Sequence, residues 1–142
     1  MGYDKPLPSP DPETRPFWDG CREGLLLIQK CSDCGQVRFP PTSYCPHCRS
    51  GAFDWIRASG RGRVFSWIVV RHPVPREVYA GDVPYVVALV TLDEGVRMVA
   101  NIRGLEPEDV AADMRVEAMF DAVTPEITLP FFVPAAGSSG GE

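Results

Sequence analysis

Cys31-Ser32-Asp33-Cys34 and Cys45-Pro46-His47-Cys48 decide how this 142-residue chain is read. Each pair encloses two residues, and ten residues separate the pairs. A C-x-x-C turn aims both thiolates at one ion, and two such turns supply the four soft ligands of a tetrahedral zinc site. Cys31, Cys34, Cys45 and Cys48 are therefore expected to hold one structural zinc ion per chain. Gly35 follows the first pair, where a tight knuckle calls for a positive φ. Residues 37–41 between the pairs read as a short strand and a bend, which completes a rubredoxin-like zinc ribbon. A pair of redox dithiols or two disulfides is the competing reading of the same cysteines, and nothing else in the chain points to an oxidising compartment. Four thiolates leave zinc no open position for water or substrate, so the ion is expected to hold the fold and do no chemistry. His47 lies inside the second knuckle and could replace a cysteine, but the complete set of four makes that unnecessary. Cys21, the fifth cysteine, has no histidine near it in sequence and reads as a small buried apolar residue.

Working outward, the length suits one compact unit or two small ones sharing a core. Hydrophobic residues make up 44%, enough for a globular interior. The formal net charge is −5 and the isoelectric point is near 5.0. That balance opposes general affinity for nucleic acid. No basic segment followed by an apolar run opens the chain, and its longest apolar stretch, 83–92, is too short to cross a bilayer. A cytoplasmic protein with no membrane partner is the expectation, and free thiols suit that compartment.

The rest of the chain is expected to be mainly β. Residues 1–10 are rich in proline and polar groups and read as a flexible arm. Residues 11–24 read as an N-terminal helix: Asp11 as N-cap, Pro12 in the first turn, Phe17, Cys21 and Leu25 at helical spacing, and Gly24 as the stop. Residues 25–58 make the ribbon, with strands at 25–30 and 53–57; a unit that small depends on its metal. Residues 59–134 carry five strands, at 64–70, 85–92, 96–102, 115–121 and 127–133. A short helix at 106–112 falls between the third and fourth, the element order of an OB-fold barrel. Residues 135–142 are read as a disordered tail. In a regular first barrel strand, Phe65, Trp67 and Val69 share one face and Ser66, Ile68 and Val70 the other. One set must fill the barrel. Ile68 and Val70 make the other apolar enough to expect cover from the ribbon, the helix or a partner.

Several pieces in one order resemble a known family. Pro16-Phe17-Trp18-Asp19-Gly20 is followed by Gly24-Leu25-Leu26-Leu27-Ile28-Gln29-Lys30-Cys31, Cys34-Gly35, Arg38-Phe39-Pro40-Pro41, Cys45-Pro46-His47-Cys48 and Gly60-Arg61-Gly62-Arg63-Val64-Phe65-Ser66. The chain is similar, over residues 16–134, to the small zinc-ribbon plus OB-fold proteins of acyl-CoA metabolism, which long carried the label of a domain of unknown function. The resemblance implies an accessory subunit of a thiolase-like enzyme: a thiolase, an acyltransferase, or a retro-aldolase of steroid or fatty acyl side-chain metabolism. It implies a hetero-oligomer in which the OB-fold and the apolar helix help hold CoA or acyl chains and dock the partner. A CoA thioester would be a ligand here rather than a cofactor. Its phosphates and adenine need cations, an apolar slot and aromatic surface. Arg61 and Arg63 at the mouth of the first barrel strand, Arg71 at its far end, and Trp67 are the candidate ligand residues, with Phe65 and Tyr85 as possible walls. The only histidines, His47 and His72, belong to no nucleophile–base set, so no catalytic residue is expected and the chemistry is assigned to a partner chain. Two other readings stay open: an OB-fold protein binding single-stranded nucleic acid, and a free-standing enzyme using a substrate-bound zinc.

Overall fold

A computed structural model describes residues 5–135. The reading of 1–4 as flexible and of 136–142 as a disordered tail falls outside them. After a helix α1 (Arg15–Arg22), three strands form the ribbon sheet: β1 (Leu27–Cys31), β2 (Val37–Arg38) and β3 (Phe53–Arg57), in the order β2-β1-β3 and antiparallel throughout. Five strands follow: β4 (Arg61–Val70), β5 (Tyr85–Leu92), β6 (Arg97–Ile102), β7 (Arg115–Ala122) and β8 (Thr128–Pro134). They close into a barrel in the order β4-β5-β6-β8-β7, with β7 pairing back onto β4. All pairs are antiparallel except β6 with β8, where Ile102 stands opposite Phe132. This is the OB-fold arrangement expected from the order of elements.

Local chemistry explains the element ends. The helix starts one turn later than Asp11 because that residue and Thr14 satisfy each other. The Asp11 N–H donates to Thr14 Oγ1 at 3.1 Å and the Thr14 N–H to Asp11 Oδ1 at 2.9 Å, which closes a turn and leaves Thr14 at the N-cap. Pro16 then occupies the first helical turn, where a missing N–H costs nothing. At the other end Gly24 adopts φ 77°, and the N–H groups of Gly24 and Leu25 bond the carbonyls of Cys21 and Gly20. That is a Schellman closure, which only a residue tolerant of the left-handed region completes cheaply. Between β6 and β7 the expected helix is a single 3-10 turn, Pro107–Asp109, because Val110 returns to extended backbone. A short helix that the sequence reading did not anticipate, α2 (Arg76–Tyr79), sits between β4 and β5.

The core runs without a break from α1 into the barrel. Alternate residues of β5, Val86, Ala88, Val90 and Leu92, point inward to meet Val64, Met98, Ile102, Val116 and Phe132. Helix α1 packs against β1, β7 and β8 through Phe17, Gly20 and Cys21. Gly20 is needed there: a Cβ would lie 2.9 Å from Leu27 Cδ1. In β4 the alternation expected of a regular strand fails. Val64 stands opposite Val90, yet Ser66 stands opposite Leu89, so Phe65 is an extra residue in a β-bulge. Val64, Trp67 and Val69 therefore turn toward the core, and Phe65 is displaced to the outside with 52% of its surface exposed.

Candidate functional site

The two knuckles are near copies of each other. In the first, the Gly35 N–H donates to the Cys31 carbonyl at 3.0 Å and the Cys34 N–H to Cys31 Sγ at 3.4 Å. In the second, the Arg49 N–H donates to the Cys45 carbonyl at 2.7 Å and the Cys48 N–H to Cys45 Sγ at 3.4 Å. Gly35 has φ 79°, as the sequence led us to expect, but the equivalent place in the second knuckle holds a non-glycine residue, Arg49, at φ 68°. Ser50 Oγ donates to the Asp33 carboxylate and ties one knuckle to the other.

This folding brings all four candidate sulfurs together. Cys31 and Cys48 Sγ lie 3.5 Å apart, Cys34 and Cys45 Sγ 3.6 Å apart, and the whole set falls within 4.8 Å. Four thiolates about 2.3 Å from a tetrahedral zinc would be about 3.8 Å from one another. The residues present thus fit the ion in number, softness and spacing, and all five cysteines of the chain are free of disulfide bonds. Backbone N–H groups of Cys48 and His47 pull the Cys45 thiol down to about 6, and those of Cys34 and Asp33 lower Cys31. Both effects favour the thiolate that a metal requires. Burial and the neighbouring sulfurs instead raise Cys34 and push Cys48 up to about 12. Without an ion the four sulfurs do not all ionise together, and a bound cation would be what holds them as thiolates. His47 is exposed and joins the site only through its backbone N–H, 3.3 Å from Cys45 Sγ. Cys21 is 1% exposed, and burial pushes its thiol up to about 12, as befits an inert core residue. Among the described residues, no other group of three or more His, Cys, Asp or Glu side chains is placed to share an ion.

Beside the ribbon runs a buried polar network that the sequence did not announce. Gln29 is fully buried; its Oε1 accepts from Arg38 Nε at 2.8 Å and from the Thr42 N–H at 2.9 Å. Arg38, 6% exposed, also donates to the Thr42 carbonyl and lies 5.0 Å over the Phe53 ring. A guanidinium so placed fixes the loop that follows β2. The only hint in the sequence is an arginine leading into Phe39-Pro40-Pro41.

That loop forms one side of a groove of about 980 Å³. Phe17, Trp18 and Phe39 line the side made by α1 and the ribbon; Tyr79, Tyr85 and Leu105 line the barrel side. Phe17 packs edge-on against Trp18 at 4.9 Å and meets Phe39 at 5.3 Å. Two cations edge the groove. Lys5 is 2.8 Å from Asp82 and sits over the Tyr79 ring, and Arg103 is 3.1 Å from Asp121 and sits over Phe131. Of the ligand candidates, Arg61 and Arg63 are exposed at the start of β4, Trp67 packs inward, and Arg71 is exposed with Nη2 4.0 Å from Glu108. None of the four lines the groove. Ten residues of extended strand put Arg61 and Arg71 on the order of 30 Å apart, too far to meet on one phosphate. Tyr85 does line it.

An N-terminal helix, a four-cysteine ribbon and a closed five-stranded barrel in OB order together define a zinc-ribbon–OB-fold protein. Family models described as "ChsH2, rubredoxin-like zinc ribbon domain" and "ChsH2, C-terminal OB-fold domain" match residues 18–54 and 55–121 in succession. The chain belongs to the DUF35 family of such proteins. It is 40% identical over 105 residues to a DUF35 domain-containing scaffold protein of Methanocaldococcus jannaschii, covering 72% of this chain and 73% of that one. A probable enoyl-CoA hydratase alpha subunit of Thermomonospora curvata is 40% identical over 133 residues; these cover 92% of this chain but only 40% of that longer protein. The benzoylsuccinyl-CoA thiolase subunit BbsA of Geobacter metallireducens is 33% identical over 92 residues, 62% of this chain and 56% of its own. A chain of the solved structure titled "Ltp2-ChsH2(DUF35) aldolase" superposes with a TM-score of 0.83 at 38% identity, covering 92% of this chain and 100% of that one.

Proposed function

We propose that this chain is a non-catalytic accessory subunit that docks on a thiolase-like or aldolase partner acting on acyl-CoA thioesters. The observation that carries this reading is likeness across the whole unit: ribbon, helix and barrel all correspond, at 38% identity, to a complete chain of an Ltp2–ChsH2 aldolase. A relative named as a thiolase subunit and others named as scaffold proteins point the same way. Cys31, Cys34, Cys45 and Cys48 would hold zinc. With four thiolates bound, the ion has no vacant position and acts as a cross-link. A cytoplasmic setting suits these free thiols, and no helix among the described residues is long and apolar enough to cross a membrane.

The groove is the place we assign to the CoA thioester. Its volume lies in the range of small-molecule sites. Its aromatic walls suit an acyl chain or the pantetheine arm, and Lys5 and Arg103 at its edge would meet phosphate by exchanging their present partners, Asp82 and Asp121. This moves the ligand away from Arg61, Arg63, Trp67 and Arg71. Co-expression with a thiolase-like or aldolase chain from the same source, size exclusion and zinc analysis test the reading. A fixed-ratio complex with one zinc per copy of this chain supports it. A zinc-loaded chain that ignores the partner overturns it.

A further inference from the structure

The outer face of the three-stranded wall β4-β5-β6 is a second apolar surface, distinct from the barrel core. Strand register sets two rows across it: Ser66, Leu89 and Val99 in one, Ile68, Val87 and Asn101 in the next. Neighbouring strands stand about 4.8 Å apart, so the four aliphatic side chains form one continuous block. Ile68 is 62% exposed and Val99 64% exposed. The bulge adds Phe65 at its margin. Helix α1 packs against β7 and β8, across the barrel from this wall, and leaves it open. Val87 and Val99 also form one lip of the groove, so whatever sits on this wall reaches the groove as well.

Charge at the rim narrows the occupant. Arg97 lies 3.7 Å over the Phe65 ring and donates to Thr91 Oγ1, and Arg63 stands across from Thr91. Among the described residues neither arginine makes an ion pair. A chain of net charge −5 thus keeps an apolar block with an unpaired basic edge. A second copy docked by two-fold symmetry would bring the same patch, and the same arginines, face to face. Nucleic acid on an OB-fold uses this wall through aromatic stacking. Here the block is aliphatic, and one face of the marginal Phe65 is already taken by Arg97. The remaining fit is a protein surface that is apolar at its centre and edged with carboxylates.

We propose that this wall is the docking surface for the thiolase-like subunit, which meets it with such a surface; the proposal rests on the accessory-subunit reading above. The test is complex formation by wild type, Ile68→Asp, Val99→Asp and Arg97→Glu with a thiolase-like chain from the same source. Zinc content and circular dichroism check that each variant is folded. Both aspartate variants should bind at least tenfold more weakly, enough to lose co-elution, because they place a charge at a desolvated centre. Arg97→Glu should bind more weakly at low salt, with a difference that shrinks as salt rises. Wild type and folded variants that co-elute alike would overturn this proposal alone. A wild-type chain that never binds the partner would remove the accessory-subunit reading and this proposal with it. A homodimer, or a salt-sensitive complex with oligo(dT), that the aspartate variants abolish would also overturn it by naming a different occupant.

Discussion

Gly62 sits where the barrel closes, opposite both Leu92 of β5 and Val116 of β7. A Cβ at this position would lie 2.6 Å from the Thr91 carbonyl oxygen, 2.8 Å from Val90 Cγ1 and 3.2 Å from Leu92 Cα. Two of these three atoms are backbone of the paired strand, so no side-chain rotation can clear them. Ordinary contact begins near 3.4 Å, and the carbonyl would have to retreat by about 0.8 Å. Pushing a packed backbone aside costs about 1–3 kcal/mol. Alanine recovers about 0.4–1 kcal/mol by stiffening the unfolded chain. Gly62→Ala should therefore destabilise by about 1–2 kcal/mol, lowering the melting temperature by about 4–8 °C for a domain of this size. Gly81→Ala is the control, because nothing lies within 4 Å of its Cβ position and its φ is not left-handed. Thermal melts of both zinc-loaded variants decide the matter. Equal midpoints would refute the argument that close approach of β5 is what demands a glycine here.

Three further outcomes are expected. Cys34→Ser should lose zinc and unfold the ribbon, since structural zinc contributes about 10–16 kcal/mol in small domains, comparable with an entire domain's stability of about 5–15 kcal/mol; metal analysis with limited proteolysis reads this, and a soluble, folded, zinc-free variant would contradict it. Arg49→Gly should raise stability by about 0.5–1 kcal/mol, because the left-handed φ costs a side-chain-bearing residue more than glycine loses in entropy; an unchanged or lower denaturation midpoint would count against it. Phe17→Ala removes a ring that is 3% exposed and packed on Trp18 and Phe39, and should cost about 3–5 kcal/mol; titration with an acyl-CoA should show weaker binding in the folded variant if the groove holds the thioester.

What could be read directly from the residues was local. Two C-x-x-C turns, a glycine after the first, a glycine closing the helix and alternating strands each act within a few residues, and each left its pattern in the chain. Most of the features that were misread or missed depend on the closed barrel. No residue near Phe65 signals a bulge; it emerges from fitting β4 to β5 while its first residues also pair with β7. Ser66 and Ile68 did prove to be outward, but the cover expected over them is not supplied by α1 or the ribbon. The helix start was misplaced because Asp11 caps a turn rather than the helix. The groove joins residues from α1, the loop after β2, the segment around α2 and several barrel strands, and such a convergence has no spacing to recognise. The places of Arg61, Arg63 and Arg71 at the two ends of β4 suggested phosphate contacts, and those places lie away from the groove.

Phe39 follows the second ribbon strand, yet its ring faces Phe17 and walls the groove opposite Tyr79 and Tyr85. One jamb of that opening is thus hung on the cysteine knuckles, and the other on hydrogen bonds that close the barrel without any ion. A copy lacking metal would keep the second jamb and lose the first. Supply of the ion would then act as a gate on completing that opening, with freshly made chains gaining its first side only after the metal has bound.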